Sequence, residues 1–179
     1  MLIRAERPED VDAVRDVHRH AFGREAVVRL VDALRSAPAA LAPISLVATV
    51  DDQVVGHVLL SASRLDAPPR LVDVLVLSPL GVLPEHQRRG VGTALVERAL
   101  TAAEAIGAPL LFLEGSPLYY GPRGFRAAGP LGLRKPSLRI PDAGFQVAPL
   151  GSYEPWMTGT LVYSEPFWAL DCVGLRDPA

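Results

Sequence analysis

Apolar and polar positions alternate over residues 2–6, the period of a half-buried strand. The Arg7-Pro8-Glu9-Asp10 run behind them supplies a proline and two acids suited to a helix start. Val14, Val17 and Ala21 then recur at three- and four-residue spacing, and beyond Phe22-Gly23 the set Val27, Leu30, Val31 and Leu34 repeats it. This predicts two short amphipathic helices, ended by residues 36–43. Residues 46–50 and 54–60 are apolar, β-branched runs separated by Asp51-Asp52-Gln53, the signature of an antiparallel hairpin. A second turn at 66–70 leads into residues 71–83, whose continuous apolar character predicts a central strand covered on both faces. Ser78-Pro79 interrupts that run. Proline cannot donate to a ladder and marks a bulge or an edge, so the strand is expected to break or splay there.

From Arg89 the pattern turns helical. Val91, Leu95, Ala99, Ala102 and Ile106 form one face, Glu97, Arg98, Thr101 and Glu104 the other, and Gly107 ends the helix. Residues 109–113 read as another buried strand, 116–123 as a short helical segment, and 145–148 with 159–163 as the last strands. The proline- and glycine-rich stretch 130–155 reads as loops between short strands.

The 179 residues suit a single domain, with a core over 1–150 and a strand-bearing extension over 151–179. A net charge of −2 and a pI near 6.1 give no polyanion-binding face, so no nucleic-acid partner is expected. The single cysteine, Cys172, excludes an internal disulfide, and four scattered histidines make no cluster at zinc spacing, so no metal is expected. The N-terminus is charged from Arg4 and lacks the apolar core of a signal peptide. No apolar run reaches about 18 residues. The expected location is the cytoplasm, with no membrane partner.

One stretch then changes the picture. Gly81 to Ala94 reads GVLPEHQRRGVGTA and passes from a strand end into a helix. Gly90 and Gly92 carry no side chain to hold a ligand off the backbone, and the amides around them lie at a helix N-terminus, where orphan N–H groups and the dipole favour an anion. Arg88 and Arg89 add positive charge beside them. A Walker loop is excluded, because no lysine followed by Ser or Thr comes after the last glycine. A dinucleotide fingerprint fails as well: Leu95 stands where Gly or Ala is needed.

The arrangement resembles the GNAT superfamily of acyl-CoA-dependent N-acetyltransferases, whose signature is Gln or Arg, two residues, Gly, one residue, Gly or Ala. Here that is Gln87-Arg88-Arg89-Gly90-Val91-Gly92. Downstream, Tyr119-Tyr120-Gly121-Pro122-Arg123-Gly124-Phe125 is similar to the family's tyrosine four residues before Gly-Phe. Val55-Gly56-His57-Val58, Gly132-Leu133-Arg134 and Gly159-Thr160-Leu161-Val162-Tyr163 further resemble a bacterial YhbS-type branch. The resemblance implies an α/β (α+β) GNAT fold: a mixed sheet of about six to seven strands, mostly antiparallel with a splayed parallel pair, flanked by about four helices. It implies acetyl-CoA as cosubstrate, its pyrophosphate on the amides of residues 88 to 93, from Arg88 through Thr93, and its pantetheine along Leu80, Gly81 and Val82. A primary amine, small-molecule or peptide, would be the acceptor, and the family often forms dimers through its C-terminal strands.

Tyr120 is the candidate general acid, because a phenol with a pKa of about 10 is protonated at neutral pH and can donate to a departing thiolate. Tyr119 is its competitor, and packing of both under the C-terminal sheet is the structural alternative. An amine with a pKa near 10 arrives protonated, so a base is required. Glu114, at the end of the 109–113 strand, is the candidate by position, with a solvated strand-end carboxylate as the alternative and Asp73 as a second acid. His57, in an apolar strand, reads as a hydrogen-bonded packing residue ahead of a base. Glu85 and His86 read as solvent-facing. Trp156, Phe167 and Trp168 read as closing the C-terminal core or an oligomer contact. A non-catalytic acyl-CoA sensor would keep the loop and lose the acid, so Tyr120 favours the enzyme.

Overall fold

The computed structural model describes residues 1–175. Strand β1 (Leu2–Ala5) leads through a 3₁₀ turn into helices α1 (Val11–Phe22) and α2 (Glu25–Ser36). Strands β2 (Ile44–Val50), β3 (Gln53–Asp66) and β4 (Leu71–Val82) follow as a meander, then α3 (Val91–Ala105) and β5 (Leu110–Glu114). The one-turn α4 (Pro117–Tyr120), β6 (Arg126–Ala127), β7 (Leu133–Arg134), β8 (Phe145–Pro149), β9 (Gly159–Val162) and α5 (Glu165–Ala169) complete the order. The sheet runs β1-β2-β3-β4-β5-β8-β6, with β9 on β3 beyond the end of β2 and β7 on β9. It has nine strands, two of them (β6 and β7) only two residues long.

The alternation of apolar residues sorts the two sheet faces. Val47, Leu59, Leu65, Val74, Val76 and Phe112 pack under α1, α2 and α5, while Leu46, Val58, Leu60, Leu75, Leu77 and Leu111 pack under α3 through Val91, Leu95, Val96 and Ala99. Strand β3 runs to Asp66, past the 54–60 run that the apolar pattern marks, because Ser61 and Ser63 are buried polar members of the same alternation.

The parallel pairing of β4 with β5 is short. It consists of Leu75 opposite Leu111 and Val76 opposite Phe112. Just past it, Val58 faces Leu80 while Leu60 faces Leu77, so Ser78 and Pro79 together oppose Leu59 in a bulge. The bulge removes the need for an N–H at Pro79. An extra residue also swaps the faces of everything after it. Even-numbered Val74 and Val76 point to the α1/α2 side, whereas Leu80 and Val82 pack on the α3 side and Gly81 turns to α1. A Cβ on Gly81 would lie 2.8 Å from His18 Nδ1 and 3.3 Å from Val17 Cγ1, so only glycine lets α1 approach this closely.

Candidate active site

Beyond the bulge the backbone of β4 is available on one side. The Leu83 N–H donates to Val55 C=O on β3 at 2.9 Å. Backbone groups alternate in direction along a strand, so Gly81 also faces β3, while Leu80 and Val82 turn their N–H and C=O toward the splay. The chain then crosses a 3₁₀ turn at Pro84–His86. Gln87 Nε2 donates back to Val82 C=O at 3.0 Å and fastens the loop to the strand end. Arg88 and Gly90 adopt left-handed backbone at φ 58° and φ 86°. The first intrahelical bond that follows is Ala94 N–H to Gly90 C=O at 3.0 Å, which leaves the amides of Val91, Gly92 and Thr93 as the first-turn donors of α3.

Leu80, Val82, Gln87, Arg88, Gly92 and Tyr119 line a cavity of about 320 Å³ that joins the strand end to the helix N-terminus. On the other side of the splay a second cavity of about 240 Å³ is lined by Leu77, Ser78, Pro79, Glu114, Tyr120 and Cys172, among others. Phe22 and Leu80 line both cavities and form their common wall.

The two neighbouring tyrosines take opposite sides of that wall. The Tyr119 hydroxyl lies against Gly92, so closely that a Cβ there would collide with it. Its ring is covered by the Arg123 guanidinium at 3.9 Å. Arg123 also donates to Thr93 Oγ1 from Nε (3.1 Å) and Nη2 (2.6 Å), and to Tyr119 C=O. This ties the tyrosine segment to the first turn of α3. Tyr120 points into the smaller cavity, its ring edge-on to Tyr119 (4.8 Å) and to buried Phe125 (5.7 Å). The Phe125 contact gives the Tyr-to-Gly-Phe spacing its physical meaning, with Gly124 at φ 93° making the return. Gly115 must lack a side chain, since a Cβ would strike the Tyr120 ring. Burial, with the nearby Tyr119 phenol adding to it and Arg123 opposing, pushes the Tyr120 phenol up to about 12.

Glu114 ends β5 half-buried in the same cavity. The Tyr163 hydroxyl donates to Oε1 at 2.8 Å and the Gly174 N–H to Oε2 at 3.0 Å. Burial raises its pKa, and these two bonds with the field of Arg139 offset only part of the rise. The carboxylate is therefore held rather than solvated.

A sequence profile of the acetyltransferase (GNAT) domain matches residues 2–128. The chain belongs to the GNAT acetyltransferase family. The uncharacterized N-acetyltransferase YjhQ of Escherichia coli K12 is 30% identical over 128 residues, 71% of each chain. Among solved structures, the GNAT N-acetyltransferase YhbS of E. coli in complex with CoA superposes with a TM-score of 0.82 at 29% identity, covering 93% of this chain and 91% of that one. A GNAT acetyltransferase from Brucella melitensis in complex with acetyl-CoA gives a TM-score of 0.74 at 31% identity, covering 93% and 97%. The protein is thus an acyltransferase with the GNAT fold.

Within this GNAT fold seven of the sequence-read site residues line the two cavities, and Gly81, Arg89, Gly90, Val91 and Thr93 line neither. Leu80, Val82, Gln87, Arg88 and Gly92 share the larger cavity with Tyr119, and Tyr120 shares the smaller one with Glu114. Asp73 stands apart. It is ion-paired with Arg64 at 3.7 Å and lines a third cavity with Ser61 and Ser63, because the bulge and the splay lie farther along β4. His57 is fully buried and outside both site cavities. Its Nε2 bonds Ser45 Oγ at 2.7 Å and its Nδ1 meets His18 Nε2 at 2.7 Å. The Ser45 hydroxyl donates to Glu6, so the chain of donors runs from His18 Nε2–H through His57 Nε2–H to the Glu6 carboxylate. Burial disfavours the Glu6 charge, yet the bonds from His57 and Ser45, with Arg35 beside it, hold its pKa below the ordinary value. Phe167 closes the core under Tyr163, and Trp168 donates to Tyr163 C=O at 3.4 Å.

Several site residues carry no readable signal in the sequence. Phe22 and Arg24 flank the break between two surface helices, and Cys172 comes from the C-terminal segment. Arg123 and Tyr163 lie inside stretches that carry the family resemblance, which gives neither of them a role. Among the described residues, no group of three or more His, Cys, Asp or Glu side chains is placed to hold a metal ion, and no helix is long and apolar enough to cross a membrane.

Proposed function

We propose that the protein transfers the acetyl group of acetyl-CoA to a primary amine by direct attack in a ternary complex. The observation that carries this reading is the pair of cavities on either side of the Phe22–Leu80 wall: one ends at the free amides of α3, the other holds Tyr120 and Glu114. The relatives that hold CoA and acetyl-CoA share this fold over nearly the whole chain.

The donor lies on the larger side. Its pyrophosphate meets the amides around Val91, Gly92 and Thr93 with Arg88 and Arg89 beside them. Its pantetheine amides pair with the backbone of Leu80 and Val82 like an added strand. Gly81 acts by admitting α1 rather than by its own backbone groups, which face β3. The cosubstrate supplies the acetyl group as a thioester. The Leu80 N–H, directed into the splay, is placed to stabilise negative charge on the thioester oxygen.

On the other side Glu114 takes the proton of the incoming ammonium, for which its raised pKa suits it. Tyr120 gives its proton to the departing sulfur, for which a phenol held protonated across the whole neutral range is suited. Isothermal titration with acetyl-CoA tests the donor site, and absence of binding at millimolar ligand sinks the reading. Release of free thiol over a panel of amines tests transfer. A protein that binds acetyl-CoA yet releases none above hydrolysis is a binding module and not this enzyme.

A further inference from the structure

The smaller cavity is bipolar. Among the described residues that line it, Glu114 is the only carboxylate and Arg24 the only cation. Gly23, left-handed at φ 62°, ends α1, and extended Arg24 joins it to α2, so the guanidinium is presented from a tight corner next to Phe22. Three of the four arginines on α1 and α2 are neutralised by carboxylates, and the fourth, Arg29, lines a different cavity. Arg15 pairs with Asp12 and Asp32, Arg19 with Asp16 and Glu25, and Arg35 with Glu6 and Asp32. Arg24 has no carboxylate partner among the described residues. Its charge and that of Glu114 are both felt by the Cys172 thiol, which lines the same cavity. Phe22, Val27, Leu30, Leu77 and Leu80 supply the apolar part of the wall, beside polar Ser78 and Tyr120.

We infer that the acceptor is a small amine that also carries a carboxylate, its amine at Glu114 and Tyr120, its carboxylate on Arg24, and a compact apolar side chain against Val27, Leu30 and Leu77. This rests on the proposed transfer reaction and narrows its substrate class. A guanidinium at the rim attracts an anion and repels the second cation of a polyamine, which would find no second carboxylate here. The volume of about 240 Å³ lies below the roughly 300–1,000 Å³ that enclose drug-sized ligands, so an aminoglycoside-sized acceptor is not enclosed. Free amino acids with aliphatic side chains have the matching chemistry.

The test compares matched pairs that differ only in the carboxylate: leucine against leucinol and alanine against alaninol, with isoamylamine and spermidine as carboxylate-free amines. With acetyl-CoA saturating and thiol release as readout, kcat/KM for the amino acid is expected to exceed that of its amino alcohol by about 10- to 100-fold. Arg24→Gln is expected to collapse that ratio toward one, and Arg24→Lys to retain part of it. A ratio near one in the wild type, a preference for spermidine, or a ratio unmoved by Arg24→Gln overturns the assignment. Calorimetric titration of leucine into the CoA-loaded protein separates this inference from the reaction beneath it. Arg24-dependent binding with no thiol release from any amine upholds the carboxylate site while sinking the transfer reading. Turnover of the carboxylate-free amines without Arg24-dependent leucine binding does the reverse.

Discussion

Removing one hydroxyl from Tyr163 isolates the proposed role of Glu114. In Tyr163→Phe the ring keeps its stacking on Phe167 at 4.7 Å, while Glu114 Oε1 loses a donor at 2.8 Å. A hydrogen bond to an ionised group contributes about 1.5–3 kcal/mol, and the lower figure is appropriate for a carboxylate only half-buried and still bonded to the Gly174 N–H. At about 1.36 kcal/mol per pKa unit, losing about 1.5 kcal/mol from the charged form raises the Glu114 pKa by about one unit. A base acts when deprotonated, so activity climbs as pH rises through its pKa, and the acidic limb of the kcat/KM profile should move to higher pH by about one unit. The plateau above the limb should change little. Thiol release measured from pH 5 to 9 reads this, with Glu114→Gln as the reference in which activity falls by about 10²- to 10⁴-fold. An acidic limb that stays in place, or moves to lower pH, in a Tyr163→Phe protein with unchanged urea midpoint refutes Glu114 as the base.

Tyr120→Phe should lower kcat by about 10²- to 10⁴-fold with little change in the KM for acetyl-CoA, whereas Tyr119→Phe should act on that KM instead; the opposite pattern in steady-state kinetics exchanges the two roles. Arg123→Met severs the tie between α4 and the first turn of α3, and both kcat and acetyl-CoA affinity should suffer by about tenfold; wild-type kinetics would show the tie to be only decorative. Stability should fall in mild acid. Burial depresses the pKa of His18 to about 2 and lowers that of His57, so below about 6.5 the unfolded chain binds protons that the folded one refuses. The contribution is complete well above that pH and is lost as pH falls, by about 2.3 kcal/mol for His18 alone between pH 6.5 and 4.5. Urea midpoints that stay level over that range contradict the buried neutral pair.

Much of the architecture is legible along the chain because burial imposes periods on it. The 3.6-residue period of Val27, Leu30, Val31 and Leu34 and the unbroken apolar run into β4 each report a local relation between backbone geometry and one or two covered faces. The glycine loop and the Tyr120-to-Phe125 spacing are legible for a similar reason, since each is a short-range device whose parts lie within a few residues of one another. Pro79 announces a disturbance in β4.

What that disturbance accomplishes is decided in three dimensions. Whether Ser78-Pro79 ends the strand or bulges it depends on the register of β3, and the register determines that Leu80 and Val82 face the splay while Gly81 faces α1. Glu114 takes its partners from 49 and 60 residues downstream, and His57 takes His18 from 39 residues upstream. Arg24 and Cys172 share a cavity that no spacing foretells. Long-range pairings leave no period in the sequence, because each depends on where two independently formed elements dock. The sequence by itself therefore determined the elements, the glycine loop at the start of α3 and the Tyr120-to-Phe125 spacing; only the tertiary structure decided which side of β4 is open, how Glu114 is held, and which charges share the smaller cavity.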